Sequence, residues 1–540
     1  MSAAETSMIT GGEAVVRTLL ANNVKRLFAL PGIQCDWLFN ALYDHRDEIE
    51  VIHTRHEQGA AYMALGAAVA SGEMSVCSVV PGPGVMNASA ALATAYGLNA
   101  KVLTITSQIP LPLIGRRTGA LHEVNDQLGL LRSITKHAER LEHPSEIPAG
   151  INRAIHAIHS GRPRPAAVEI PMDVLAERAP VVDIGGPAPP GLMPSLDKTQ
   201  LGKIAEALAN ASAPMIFVGS GAQGVARQVR RLAELLNAPV VGYRTGRGIM
   251  DSRSPQSFVQ PAARPLWAQC DVALALGTNM RVPQQSWERK ADRKILRIDV
   301  DPSTHAILGK PSIALTATLE SALPELIALL SGTKLKSRWT TEQFVAAQAD
   351  WQQRVAVLQP QVDYLAAIRD AMGEHGIFVD ELTQVGFASR IVLPVYHPRT
   401  FISTGYMGTL GYGFPTALGV KVARPDAPVV SVAGDGGFMF ALSELATAVQ
   451  HRIGVAVVLF NNNQYGNVQQ MQRDVYGGRV IATDLVNPDF VTLAGCFGAR
   501  GRRATTPSQL RAELENAFAA DAPTVIEVPV GDMPSVDRFR

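Results

Sequence analysis

Short β-branched runs recur along the whole chain, and the stretches between them fix the class of fold. VCSVV, VLTIT, MIFVG, VALALG, ILRIDVD, VVSVAG, VAVVLF and TVIEVPV are continuously apolar, as strands buried on both faces are. Ala/Leu-rich amphipathic stretches such as 58–70 and 438–451 alternate with them. Strand, helix, strand in that order predicts parallel sheets wrapped by helices and joined by right-handed crossovers. VVDIGGPAPPGLMPSLD at 181–197 has no apolar period and reads as a linker, and a weaker break falls near LLSGTKLKSRW at 329–339. The segments 1–182, 198–332 and 345–540 repeat one grammar. The expected fold is therefore α/β, with three doubly wound parallel-sheet domains; 540 residues exceed what one core holds.

Charge narrows the function classes. Lys plus Arg number 49 and Asp plus Glu 48, a net charge of +1, so no global field marks a nucleic-acid or acidic-surface binder. RGRR at 500–503 reads as a solvated face. Cys35, Cys77, Cys270 and Cys496 are scattered, without CxxC or a His pair at metal spacing, and are expected as buried thiols in a reducing cytoplasm. The N-terminal MSAAETSMITGGEAVVRTLL lacks a basic segment before an apolar core, and the Ala/Val-rich stretches are interrupted by Glu73, Pro81 and Pro83. Neither a secretion signal nor a membrane span is expected.

GDGGFMFALSELATAVQHRIGVAVVLFNNN, 434–463, carries the strongest chemical signal. PVVSVAGD reads as a buried strand, GGFMFALSELATAVQHR as a crossover helix and VAVVLF as the next parallel strand. Both strands of such a unit finish at one sheet edge, which brings Asp435 and Asn462 side by side. Gly436 and Gly437, at the helix start, offer free N–H groups and no Cβ to obstruct a phosphate. Hard oxygen ligands that leave positions for water and phosphate suit Mg²⁺. An Asp-Gly pair alone is an ordinary turn, and asparagines alone are a polar loop. Together at the two ends of one unit, they predict a metal-bridged diphosphate.

Gly434-Asp435-Gly436 followed by Asn461-Asn462 resembles the thiamine-diphosphate motif of the acetolactate synthase, pyruvate decarboxylase and benzoylformate decarboxylase superfamily. The resemblance covers nearly the whole chain and is nearest to acetolactate synthases. TRHEQGAAYMALGAAVASG (54–72), PGPGVMNASAALATAYGLNAKVLTITSQIP (81–110), SGRPRPAAVEIPMDV (160–174), GTLGYGFPTALGVKVARPD (408–426) and LVNPDFVTLAGCFGA (485–499) carry it in order. It implies that Asp435 and the Asn462 side chain ligate Mg²⁺, with the main-chain carbonyl of Gln464 as third ligand. It implies that Glu57 contacts N1′ of the cofactor's aminopyrimidine and that Gly408 accepts from the 4′-amino group through its carbonyl. Leu410 becomes the apolar wedge that bends the cofactor, and Gly434, Gly436 and Gly437 line the diphosphate. The N-terminal domain of one subunit then supplies Glu57 to the C-terminal domain of its partner, so a dimer is the smallest active unit. By itself Glu57 is an acidic first residue of a helix, complementing the macrodipole; beside the 434–463 unit it becomes the proton partner that activates the cofactor.

Elsewhere the resemblance departs from the family. MIFVGSGAQG sets Gly219, Gly221 and Gly224 at dinucleotide spacing, but no acidic residue follows APVVGYRTG, which argues against a nicotinamide dehydrogenase. Acetolactate synthases bind FAD in this domain. Their Arg-Phe-Asp-Asp-Arg stretch is replaced by TNMRVPQQSW at 278–287, so the glycine turn speaks for FAD, that replacement speaks against it, and a turn kept for packing is the other expectation. The family's Phe-Gln pair is Leu121-His122, its Gln-His after VG is Phe387-Ala388, and its Trp for the second keto acid aligns with Met471. These changes are expected in the acceptor pocket. His122 is a candidate proton relay, Gln34 a candidate to orient a substrate carboxylate, and Asp36 a helix cap.

The function expected is decarboxylation of a 2-keto acid, dependent on thiamine diphosphate and Mg²⁺, with carboligation to a second carbonyl, in a cytoplasmic homodimer or homotetramer. The alternative is a simple decarboxylase that releases an aldehyde. Glu57, Asp435 and Asn462 in place argue against a cofactor-binding relative without catalysis.

Overall fold

A computed structural model describes residues 7–181, 184 and 186–539. Its N-terminal part contains β1 (Ser7–Thr10), β2 (Arg26–Ala29), β3 (Glu50–His53), β4 (Ser75–Val79), β5 (Val102–Gln108), β6 (His137–Arg140), β7 (Ala166–Pro171) and β8 (Arg178–Val181). The central part contains β9 (Pro214–Val218), β10 (Val240–Gly242), β11 (Ser257–Val259), β12 (Val272–Leu276), β13 (Lys294–Asp299) and β14 (Ile313–Thr316). The C-terminal part contains β15 (Ile377–Val379), β16 (Phe401–Ile402), β17 (Val429–Gly434), β18 (Ala456–Asn461), β19 (Arg500–Arg503) and β20 (Thr524–Pro529). The three parallel-sheet α/β domains expected from the alternation are present.

The strand orders show where ligands can enter. The N-terminal sheet runs β3-β2-β4-β5-β7-β6 and the C-terminal sheet β16-β15-β17-β18-β20-β19, which is one topology used twice. The central sheet runs β11-β10-β9-β12-β13-β14, the order of dinucleotide-binding folds. Every pairing within these three sheets is parallel; β1 and β8 form a separate antiparallel pair. In each sheet, consecutive connections leave in opposite directions at one point, opening a crevice outside the strands' carboxyl ends. Those points lie between β2 and β4, between β9 and β12, and between β15 and β17.

Two helices join the outer domains within the chain. Glu57–Ser71 begins after an N-cap at His56 and stops at Gly72, whose φ of +82° needs a glycine. Gly413–Ala423 packs against it, and both are buried nearly all round. Their backbones nearly touch: a Cβ on Gly66 would stand 2.1 Å from the Thr416 carbonyl oxygen, and one on Gly419 1.9 Å from that of Met63. Tyr62 and Tyr412 meet edge to face at 5.5 Å in the same seam.

Several local expectations change. The stretch 438–451 is two helices, Asp435–Met439 and Glu444–Gln450, because i to i+3 bonds at Phe440, Ala441 and Glu444 tighten the chain between them. RGRR is the edge strand β19, with Arg503 held by Asp489 and Glu527. Asp36 opens the helix Asp36–Asp44 as its first residue; the cap position is Cys35, with no side-chain cap bond. Cys35, Cys77 and Cys270 are buried free thiols, whereas Cys496 is exposed. Of the expected linker, 182, 183 and 185 lie outside the described residues, and 186–197 contain neither helix nor strand. Among the described residues no helix is long and apolar enough to cross a membrane.

The glycine seam is testable. Gly419→Ala is expected to cost about 1–3 kcal/mol, because backbone cannot yield as a side chain does. Gly202→Ala, on a helix where a Cβ meets nothing within 4 Å, is expected to add about 0.5–1 kcal/mol. Thermal melts of the two variants against the parent check both signs.

Candidate active site

Two polar clusters stand at the carboxyl edges of the outer sheets. In the first, Glu57 is the opening residue of its helix and is half-buried, and Asn87 Nδ2 donates to its Oε2 at 3.0 Å. Gly84 stands beside it, where a Cβ would lie 3.5 Å from Glu57 Oε1. Gly82, at φ +60°, takes a position where a Cβ would be 2.4 Å from the His122 carbonyl oxygen, which sets the 121–122 loop over the same turn. His122 itself is held at φ +69°, a conformation that costs energy in a non-glycine residue and clusters at functional sites.

Gln34 is 3% exposed and has both ends of its amide engaged. Its Nε2 donates to the Leu121 carbonyl at 3.0 Å, and its Oε1 lies 2.8 Å from His122 Nδ1. An amide oxygen can only accept, so His122 carries its proton on Nδ1. Its Nε2 has no hydrogen bond among the described residues. The amide thus ties Gln34 to the 121–122 loop and leaves its second Nε2 hydrogen for another acceptor.

The second cluster surrounds Asp435, which is 2% exposed. Gly434 pairs with Phe460 across β17 and β18, so Asp435 and the 461–464 turn follow side by side. Asn487 ties them together. Its Nδ2 donates to Asp435 Oδ2 at 2.7 Å, to Asn461 Oδ1 at 3.1 Å and to Asn463 Oδ1 at 3.2 Å. Burial pushes the Asp435 carboxyl up from the usual range, against the hydrogen bonds of Asn487 and the Gly436 and Gln464 amides. A buried carboxylate with amide oxygens beside it and no cationic side chain bonded to it is a donor set that suits a hard dication. The Gln464 carbonyl also accepts from the Gly466 amide at 2.8 Å, and Asn462 lies against Gly466, its Nδ2 2.8 Å from where a Cβ would be.

The glycines here have different reasons. At Gly436 a Cβ would strike the Tyr465 ring at 2.3 Å, so this glycine makes room for protein. At Gly437 a Cβ would meet only ordinary contacts, Glu381 at 3.6 Å and Leu410 at 3.9 Å, which leaves the approach open to a ligand. Gly408 sits at φ +62°, and its segment touches the N-terminal domain of the same chain through Thr409 and Thr94 at 3.2 Å. Glu381, at the end of β15, lies beneath Gly437 and accepts from the Leu382 and Gly413 amides. Full burial raises its pKa to about 8.

Among the described residues the two clusters are not bridged: the one hydrogen bond of Glu57 is to Asn87 of its own domain. Other expected pocket residues fall elsewhere. Ala388 is in the core, and Phe387 lines a cavity of about 770 Å³ at the switch point of the central sheet. There Gly219 and Gly221 pack on Gly277, with Cβ positions 2.5 and 2.9 Å from its backbone atoms, so these glycines are needed for turn packing. The cavity is also suited to an anion. Arg244 Nε and Arg390 Nη2 are buried without hydrogen-bond partners on two residues that line it, as the phosphates of a nucleotide would require. Asp299, at the end of β13, lines it too; it follows a later strand of the sheet than APVVGYRTG. Asn87 and Asn487 lie within the stretches 81–110 and 485–499, but only the fold shows what they and Glu381 touch.

A crevice at each switch point, with a buried aspartate and open glycine in one and a helix-opening glutamate in another, is the place where an enzyme of this α/β class binds its ligand. Three family models match in chain order: the N-terminal thiamine pyrophosphate binding domain at residues 9–130, the central domain at 201–326 and the C-terminal binding domain at 382–528. The chain belongs to the thiamine pyrophosphate enzymes. It is 32% identical to a probable acetolactate synthase large subunit of Methanocaldococcus jannaschii, over 96% of this chain and 92% of that one. It is 30% identical to the acetolactate synthase large subunit of Haemophilus influenzae, over 95% and 92%. It is 31% identical to the probable 2-ketoarginine decarboxylase AruI of Pseudomonas aeruginosa, over 96% and 94%.

Glu381 gives a pH test. Its folded pKa is raised, so its contribution to stability is present below the ordinary carboxylate range and is lost as pH rises toward about 8. Asp435 and Glu444, also raised by burial, act in the same direction. The Tm of the cofactor-free protein is expected to fall between pH 5 and pH 8 by these sums, and Glu381→Gln to flatten that slope; an unchanged slope in the variant would refute the assignment.

Proposed function

We propose that this enzyme decarboxylates a 2-keto acid and joins the product to a second carbonyl, using thiamine diphosphate and Mg²⁺. The observation that carries this is the Asp435 cluster: a buried carboxylate linked through Asn487 to Asn461 and Asn463 and bonded by the Gln464 amide, at the edge where Gly437 is open. In this reading Asp435, Asn462 and the Gln464 carbonyl hold Mg²⁺, and Gly434, Gly436 and Gly437 frame the diphosphate. Gly408 presents its carbonyl and Leu410 its apolar side chain to the cofactor. Bound there, the cofactor supplies the electron sink for loss of the keto acid's carboxylate.

The chain's own groups do the rest. Glu57, held by Asn87, exchanges a proton with the aminopyrimidine N1′ of cofactor bound to a second copy of the chain. Large apolar residues exposed in the isolated chain support that assembly. Ile33 and Leu121 stand near the first cluster, while Phe440, Tyr476, Ile481 and Val486 stand on the C-terminal domain, the composition of a surface that is covered. His122, in its Nδ1-protonated form, turns Nε2 to the substrate as a proton acceptor, and as a donor once protonated. One unpartnered guanidinium nitrogen on each of Arg244, which also donates to the Gly405 carbonyl, and Arg390, which is paired with Asp380, supports a nucleotide of the FAD kind in the central cavity; the buried thiols of Cys35, Cys77 and Cys270 fit a reducing cytoplasm. Simple decarboxylation is the second reading, favoured by His122 as a proton donor and by the likeness to a protein named as a decarboxylase.

Product analysis separates the two. Incubation with pyruvate, thiamine diphosphate and Mg²⁺, followed by NMR, is expected to give acetolactate or acetoin; acetaldehyde alone would select the decarboxylase. Asp435→Ala is expected to abolish Mg²⁺-dependent cofactor binding in fluorescence titrations. Glu57→Ala is expected to retain binding while exchange of the cofactor C2 proton into D₂O slows by about 10²-fold or more; unchanged exchange would remove Glu57 from the mechanism.

A further inference from the structure

A second group of ligating side chains lies at the other edge of the C-terminal sheet. Glu374 and His375 occupy the turn between the helix Gln361–Met372 and β15, and His397 the loop before β16. β15 and β16 are parallel neighbours, so both loops emerge at their amino ends, opposite the edge that carries Asp435 and Asn462. One ligand atom from each of the three residues lies within 4.8 Å of the others. The two imidazoles stack, with centroids 4.6 Å apart and planes inclined by 18°.

Three features suit this group to a cation. His397 Nε2 is buried and has no hydrogen-bond partner, an unpaid desolvation that a ligated ion would relieve. Burial, then the neighbouring His375 and Arg230, hold the His397 pKa below the usual imidazole value, which favours the neutral form that binds metals. Glu374 accepts from Arg253 through Oε1 only. Arg253 is also paired with both oxygens of Asp251, so its charge stays balanced while Glu374 Oε2 remains available.

The backbone under the site is fixed. Thr400 Oγ1 donates to the His397 carbonyl at 2.7 Å, and Gly248 of the central domain packs where a Cβ would be 2.0 Å from that oxygen. Val395 and Ser252 exchange two hydrogen bonds across the same domain contact. Glu374 and His375 are exposed side chains, held by Arg253 and by the stack on His397 respectively. Tetrahedral zinc places ligand atoms about 3.3–3.5 Å apart, so closing the site needs a rotation of these side chains by about an ångström.

We propose that His375, His397 and Glu374 form a binding site for a divalent transition ion of the zinc class, separate from the Mg²⁺ site. Two imidazole nitrogens and one carboxylate leave a fourth position for water, and the nitrogens select against Mg²⁺, which takes oxygen. Its effect is mechanical: the ion clasps the loop before β16 to the turn before β15, where both meet the central domain.

The test uses tag-free full-length protein, stripped with a chelator and reloaded with thiamine diphosphate and Mg²⁺. Zn²⁺ titrated by calorimetry is expected to bind once per chain at micromolar concentration or below, and Co²⁺ to develop the visible absorption of a low-coordinate site. His375→Ala and His397→Ala are each expected to weaken Zn²⁺ binding by about 100-fold and Glu374→Gln by about tenfold, with cofactor affinity unchanged. His375 is exposed, so its variant tests the site even where His397→Ala disturbs the loop. No binding at these concentrations, or binding unchanged in His375→Ala, would overturn the proposal.

Discussion

Parallel pairing is the constraint from which the rest of the molecule follows. A strand that pairs in parallel with its predecessor must return across the sheet, so all the carboxyl ends gather at one edge. In each of the three sheets the reversal of strand order then opens a crevice at that edge. The chain places its polar chemistry there: Gln34 and Glu57 after β2 and β3, the Gly219 turn after β9, Glu381 and Asp435 after β15 and β17. Chemistry-bearing residues tens to hundreds of positions apart share a site because the topology returns to it.

The outer domains use one topology twice but divide the work. The C-terminal copy concentrates acceptor atoms around Asp435, linked to one another by the side-chain amide of Asn487. The N-terminal copy presents one carboxylate and one imidazole on a scaffold of glycines. The seam of Gly66 and Gly419 holds the two copies at a separation that only glycine permits, so the relative placement of the half-sites depends on backbone contact. Replacement of either glycine would act at a distance on both.

Much of this was legible beforehand. Continuous β-branched runs gave the parallel sheets, and the Asp-Gly and Asn-Asn ends of one strand–helix–strand unit were placed at one sheet edge, because period and crossover geometry are local rules. Other readings changed because contacts across the chain supplied the reason. Gly436 is a glycine on account of Tyr465, and the Gln34 amide ties the loop 87 and 88 positions away to its own turn. Asn487 has no local signature, since an Asn-Pro pair is ordinary turn chemistry until Asp435 is beside it. The split of 438–451 into two helices was equally hidden, because its hydrophobic spacing is helical throughout and the break comes from bonds that tighten one turn.

The sequence by itself determined the class of each element, the three-fold repeat of the α/β grammar and the residue types at the carboxyl edge of the C-terminal sheet. These follow from hydrophobic period, from glycine's backbone freedom and from the chemistry of oxygen ligands. Tertiary structure alone decided which nitrogen of His122 faces Gln34, which glycines are pressed against protein and which are not, and that Glu374, His375 and His397 meet. Each of those depends on the distance between segments that no local rule relates, and a difference of one ångström there changes what a side chain can do.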